Sequence, residues 1–454
     1  MYPDFFLTWL GYSLMSLNRF GLNKRRQMMS YGWVYSEKEG FKCSMSIRAR
    51  LTRMAGRKEI MNGVEIEWKG DCARERWRYW SVKEKKYIEL LGDYGEFEST
   101  GMSDDCVEFD ETLKGLRKSR FLRVWRNDLE LSECRRFCIM LPFTGDESFH
   151  IRKARAQELV SAGDVCCLIP ELPYYGNRRP DEGQVDFFIR SISDYSTKAL
   201  VTYGDVVGLV GYVKAELEKY AAEADKKNSK KKNKNKKEHS TDLSNKSIVI
   251  SGCSIGGYYC APSAVLSQLL TKNNGVKIGI AACAGWMSFD DWFSSREKVP
   301  MAVILTNLDH LTKCELPSDE GVMTRQIRDK YRISRNKNVY KEHRGQSSRE
   351  LLSLIMDHMA SLESILEFAQ KVAKKEKKKL EIDKCLDAVT LSFATRDRFI
   401  PYSEERRNHE ELIARKLAKA EPSLIVLNQD HMTAISKRGP MTSMILDTFN
   451  QMES

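Results

Sequence analysis

Metal-binding and disulfide frameworks are missing from this 454-residue chain. Its twelve cysteines include no Cys-x-x-Cys pair and no Cys/His cluster at ligand spacing. That excludes zinc-ribbon and disulfide-scaffold classes and leaves the thiols reading as buried free cysteines of a reducing intracellular compartment. No internal repeat is present, which excludes solenoids and propellers. Histidine is scarce, seven in all, and this narrows any search for a catalytic base. No apolar run approaches the ~20 residues that span a bilayer. Residues 5–18 carry no charge and are followed by Arg19, Lys24, Arg25 and Arg26, but Asp4 stands where a secretory signal would carry bases. Three readings of that run stay open: an interfacial helix, a mitochondrial targeting segment, and a helix docked on the protein's own surface.

What is present is ordinary globular material, 42% hydrophobic and 30% charged, enough for a sizeable core. The net charge of +11 is local in origin. Residues 226–237 hold eight lysines and no acid, leaving +3 to the rest of the chain. The stretch 222–246 has no apolar periodicity and reads as a Lys-rich disordered insertion. Nucleic-acid contact through the lysines is the disfavoured alternative, and it predicts a steep salt dependence.

Residues 1–135 read as an N-terminal helix followed by antiparallel lead-in strands, at Gly63–Trp68, Trp77–Val82 and Arg120–Val124. From residue 136 the pattern becomes short apolar strands separated by helices. Strands are expected at Phe137–Phe143, Val165–Ile169, Ser247–Ser251, Lys277–Cys283, Ala388–Ala394 and Leu424–Leu427. Helices are expected at His150–Ala162, Tyr203–Ala221, Gly256–Leu270 and Met441–Gln451. Such alternation predicts an α/β fold with a mostly parallel central sheet covered on both faces. Residues 136–285 form its first part and 387–454 its last. Residues 286–386 interrupt the rhythm and read as a helical insertion, or lid.

The chemistry centres on Gly252-Cys253-Ser254-Ile255-Gly256. The pattern follows a strand and precedes a helix, the setting in which a serine hydroxyl is raised on a tight turn. Small flanking residues are needed because strand and helix approach closely there. Pro262 predicts a kink in that helix. A serine needs a base and the base an orienting acid, in the chain order Ser, Asp, His for this setting. Asp397 lies just past the strand Ala388–Ala394, and His431 just past Leu424–Leu427. Both therefore fall on the rim where Ser254 lies; Asp290 and Asp291 are reserve acids. Backbone N–H groups of Ile255 and of Thr144 or Gly145 are the expected oxyanion donors. Asp146 also suits the N-cap of the following helix. Tyr174, Arg178 and Arg179 follow the second parallel strand on the same rim, where the arginines would grip an anionic substrate group or pair with Asp181 and Glu182.

These residues resemble the family of alpha/beta hydrolase domain-containing protein 18. The carriers are Thr144-Gly145-Asp146, the run 173–180 with Gln184, Gly252 to Gly257, Asp397 with Ile400-Pro401, and His431. The resemblance implies an α/β-hydrolase fold with a helical insertion and a serine triad of Ser254, Asp397 and His431. It implies no metal or organic cofactor. The expected activity is hydrolysis of an ester or acyl bond in a small molecule or lipid, with peripheral membrane contact left open. The competing reading is an inactive fold used as a scaffold for a partner or membrane.

Overall fold

β-branched and apolar residues run without interruption through the centre of the sheet, as strands buried on both faces require. The computed structural model describes residues 63–70, 74–101, 115–179, 192–229, 243–285, 383–397 and 399–454, with a few isolated positions elsewhere. The expected N-terminal helix, nearly all of the helical insertion, Asp290, Asp291 and Gln184 lie outside the described residues.

Among the described residues ten strands form one sheet. They are β1 (Glu67–Trp68), β2 (Glu75–Ser81), β3 (Lys86–Glu98), β4 (Lys118–Arg126), β5 (Arg136–Leu141), β6 (Val165–Pro170), β7 (Ser247–Cys253), β8 (Lys277–Cys283), β9 (Ala388–Ala394) and β10 (Ser423–Leu427). The order across the sheet is β1-β3-β4-β6-β5-β7-β8-β9-β10, with β2 pairing alongside β3. β1 to β4 are antiparallel, β4 is antiparallel to β6, and β6 onward run parallel. The helices are α1 (His150–Ser161), α2 (Ile192–Ser229), α3 (Ile255–Leu270), α4 (Glu404–Leu417), α5 (His431–Ser436) and α6 (Arg438–Glu453). One apolar layer packs α2 and α3 on the sheet, and a second packs α1 and α6 on the other face. This is the expected α/β class, a mostly parallel central sheet with helices on both faces.

β3 was not expected, and the reason is local. Its 13 residues include Gly92, Asp93 and Gly95, which read as a turn. A Cβ at Gly92 would stand 2.3 Å from the Trp77 ring, so glycine there makes room for an aromatic from the next strand. α2 differs as well. It reaches Ser229, eight residues into the stretch expected to be disordered, because Ala221, Ala222, Glu223 and Ala224 are strong helix formers. α3 continues to Leu270 through the buried Pro262 without a break.

Candidate active site

β7 delivers its last residue, Cys253, against the next helix through a single turn residue. That residue is Ser254, the N-cap of α3, with φ 54° and ψ −123°. A non-glycine residue there holds strain of about 1–3 kcal/mol, sustained only by tight surroundings. The surroundings are tight. A Cβ at Gly252 would stand 2.4 Å from the Gly256 carbonyl carbon, and one at Gly256 would stand 2.6 Å from the Pro142 oxygen. Glycine at both positions lets α3 begin directly against β7 and against the loop leaving β5. The Ser254 N–H donates to the Cys283 carbonyl of β8 at 3.0 Å, which pins the turn to the sheet.

β9 and β10 are parallel neighbours with Ala394 opposite Leu427, so the loops leaving them emerge side by side. Asp397 lies in the first, and one carboxylate oxygen accepts from the N–H groups of Phe399 (2.8 Å) and Ile400 (2.7 Å). His431 opens α5. Asp430 caps that helix by accepting from the Thr433 N–H at 2.9 Å, which sets the orientation of the turn. The structure brings the three expected side chains together. His431 Nδ1 lies 2.5 Å from Asp397 Oδ2, and Nε2 lies 3.0 Å from Ser254 Oγ. In the tautomer this geometry calls for, Nδ1–H donates to Asp397 and Nε2 accepts from the serine hydroxyl. All three are buried, and the Phe399 ring lies 5.0 Å from the imidazole.

The loop after β5 holds the other oxyanion candidates. The Gly145 N–H donates to the Tyr175 hydroxyl at 3.3 Å and is thereby engaged. The N–H groups of Thr144, in this loop, and of Ile255, in the first turn of α3, have no acceptor among the described residues. Asp146 does not cap α1, whose N-cap is Phe149. Its carboxylate instead pairs with buried Arg152 at 2.7 Å, and Arg152 also donates to the carbonyls of Met140 and Pro170 at the ends of β5 and β6.

The expectation of substrate contact is corrected for Arg178. Its guanidinium is 1% exposed and donates to Asp205 (2.7 Å), the Glu171 carbonyl (2.9 Å), the Leu116 carbonyl (2.9 Å) and Ser119. Those bonds bind the loop after β6 to α2 and to the approach of β4, so no donor is turned outward for a ligand. Arg179 pairs with Glu147, next to Asp146, and Tyr174 is buried with a left-handed φ of 67°. Asp181 and Glu182 lie outside the described residues.

Two supports escaped the sequence reading. Arg406 of α4 donates to the carbonyls of Ile400, Pro401 and Gly285, and Glu410 one turn later accepts from the Met287 N–H. Together they fix the Asp397 loop and the loop after β8. Their i, i+4 spacing on a helix is the only trace in the sequence. Behind the turn, the Cys253 thiol is brought down to about 7 by the hydrogen bond of Cys283 and by Arg155, whose Nη1 lies 3.5 Å from the sulfur.

Comparison with known proteins gave one family. The model described as alpha/beta hydrolase domain containing 18 matches residues 108–218, so the resemblance read from the sequence holds over that stretch. Curated protein sequences gave no match. Among solved structures, the acetyl xylan esterase from Paenibacillus sp. R4 is similar at 9% identity and a TM-score of 0.44, over 94% of this chain and 99% of that one. Acetyl xylan esterase 1 from Thermoanaerobacterium sp. JW/SL YS485 is similar at 9% identity and a TM-score of 0.40, over 95% and 99%. Esterase Est22 is similar at 12% identity and a TM-score of 0.37, over 93% and 94%. Likenesses this distant bear on neither activity nor substrate.

Proposed function

We propose that the chain is a serine hydrolase that cleaves an acyl ester, with Ser254 as nucleophile, His431 as base and Asp397 as the acid that orients it. The observation that carries this reading is the unbroken row of hydrogen bonds from Asp397 through His431 to a serine held in a strained turn at a helix N-terminus. A serine hydroxyl alone is too weak a nucleophile, and the row supplies what it lacks. His431 Nε2 takes the hydroxyl proton as Ser254 Oγ bonds to the acyl carbon. Asp397 holds the imidazole and stabilises its charged form. The N–H groups of Ile255 and Thr144 meet the negative charge on the carbonyl oxygen, helped by the start of α3. The tetrahedral species then expels the alcohol, which leaves with the proton from His431. Water repeats the sequence on the acyl-serine and releases the acid. No step calls for a metal or organic cofactor.

The proposed substrates are esters of a lipid or other small acyl group. The test is turnover of p-nitrophenyl esters of graded chain length, with intact-mass detection of an acyl adduct on quenching. An adduct that maps to Ser254 supports the reading. An adduct on another residue, or none from folded protein with every ester, contradicts it and leaves the scaffold reading.

A further inference from the structure

The hairpin between β2 and β3 carries a surface that neither the core nor the Ser254 site uses. Trp80 is 48% exposed, Val82 80% and Tyr87 68%. Trp80 and Tyr87 stand opposite each other in register, and their rings meet edge to face at 5.2 Å. Arg76 and Arg78 precede Trp80 on the same face of β2, and Lys85 sits in the turn. All three cations are exposed and without an ion pair among the described residues. The neighbouring acids are engaged elsewhere: Glu84 by Arg126 and Lys86, Glu75 by Lys153 and Tyr94, and Glu89 by Asn127.

The position of the hairpin matters. β3 meets β4 from Leu90 onward, and Val124 of β4 lies opposite Cys167 near the start of β6. The first four residues of β3 and the turn before them therefore extend past the N-terminal ends of the parallel strands. Ser254 lies at their C-terminal ends, on the opposite edge.

We propose that the β2–β3 hairpin is a docking surface for an anionic lipid bilayer, entered by Trp80, Val82 and Tyr87 and flanked by Arg76, Arg78 and Lys85. Paired aromatics with polar edges suit the boundary between headgroups and acyl chains. Cations around them are drawn to an anionic leaflet. An aliphatic side chain as exposed as Val82 has a place in acyl chains and none in stacking on nucleic-acid bases. Docked this way, the protein presents its Ser254 rim away from the membrane. This proposal is independent of the hydrolase reading.

The test is flotation of the full chain with vesicles of phosphatidylcholine alone or mixed with phosphatidylserine. The variants are Trp80→Ser, Val82→Ser and Tyr87→Ser combined, Arg76→Glu with Arg78→Glu, and Val82→Asp alone. The last replaces a side chain that is 80% exposed and so preserves the fold. Expected is binding to the mixed vesicles that falls about tenfold or more in the triple variant and several-fold in Val82→Asp. The arginine variant is expected to lose the preference for anionic lipid. Melting temperature stays unchanged. Binding that persists in all three variants would assign membrane contact to residues 5–18 or the lysine tract and overturn the proposal. Loss of self-association or of oligonucleotide binding in these variants, without vesicle binding by the wild type, would also overturn it.

Discussion

Ser254, His431 and Asp397 each owe their position to backbone contacts that a substitution can leave intact. Asp397→Asn keeps both N–H bonds to Phe399 and Ile400 but favours the wrong imidazole tautomer. Turnover is expected to drop by about four orders of magnitude with little change in melting temperature, measured by kinetics and calorimetry on the same sample. Arg178 belongs to another class. Its pairing with Asp205 is buried, so Arg178→Ala leaves a carboxylate unmatched in the core. A loss of about 3–5 kcal/mol of stability is expected, by urea denaturation. A variant as stable as wild type would return Arg178 to the substrate role. The sequence made the meeting of Ser254, Asp397 and His431 legible because each follows a strand end. It hid the arginine's role, since a basic pair on the active rim looks the same whether it faces inward or outward.

At the scale of elements, the β7–Ser254–α3 unit is the critical junction. Gly256→Ala would push a methyl into the Pro142 carbonyl, which is backbone and cannot swing aside. The loop bearing Thr144 and the start of α3 would have to part. Expected are loss of ester turnover and a lower melting temperature; wild-type turnover would show that the junction tolerates the displacement. The buried parallel strands and α3 were legible because their apolar runs and flanking helices have one reading. β3 was not, since Gly92 makes room for the Trp77 ring and Gly95 for the Phe121 ring, both from neighbouring strands, and no local rule shows that. The far end of α2 was obscured by lysines that are compatible with a helix yet dominate the composition.

Across the whole molecule, buried amines and thiols govern the pH response. Burial brings Lys198 down to about 7 and Lys214 down to about 8, and Lys214 donates to Thr271 and the Lys272 carbonyl. In the unfolded chain a lysine titrates near its ordinary value of about 10.4, so between pH 7 and that value the unfolded state binds more protons at these amines. Stability is therefore expected to rise from pH 7 to about 8 and then fall, because burial pushes up the thiols of Cys134, Cys166, Cys167, Cys260, Cys283 and Cys385, which ionise near about 8.5 once unfolding exposes them, and at higher pH the hydroxyls of buried tyrosines such as Tyr203. Lys198→Met should flatten the rise, as read from melting temperature against pH. A decline already between about pH 7 and 8 would contradict the assignment. Fold class was readable at this scale from strand–helix alternation alone, whereas charge burial depends on the assembled core.

An activated Ser254 should react covalently with a fluorophosphonate probe, which needs no knowledge of the substrate. Wild type, Ser254→Ala and His431→Ala are compared at equal folded concentration. Labelling is expected of the wild type and of neither variant. Labelling that survives Ser254→Ala, or its absence from folded wild type, would contradict an activated Ser254.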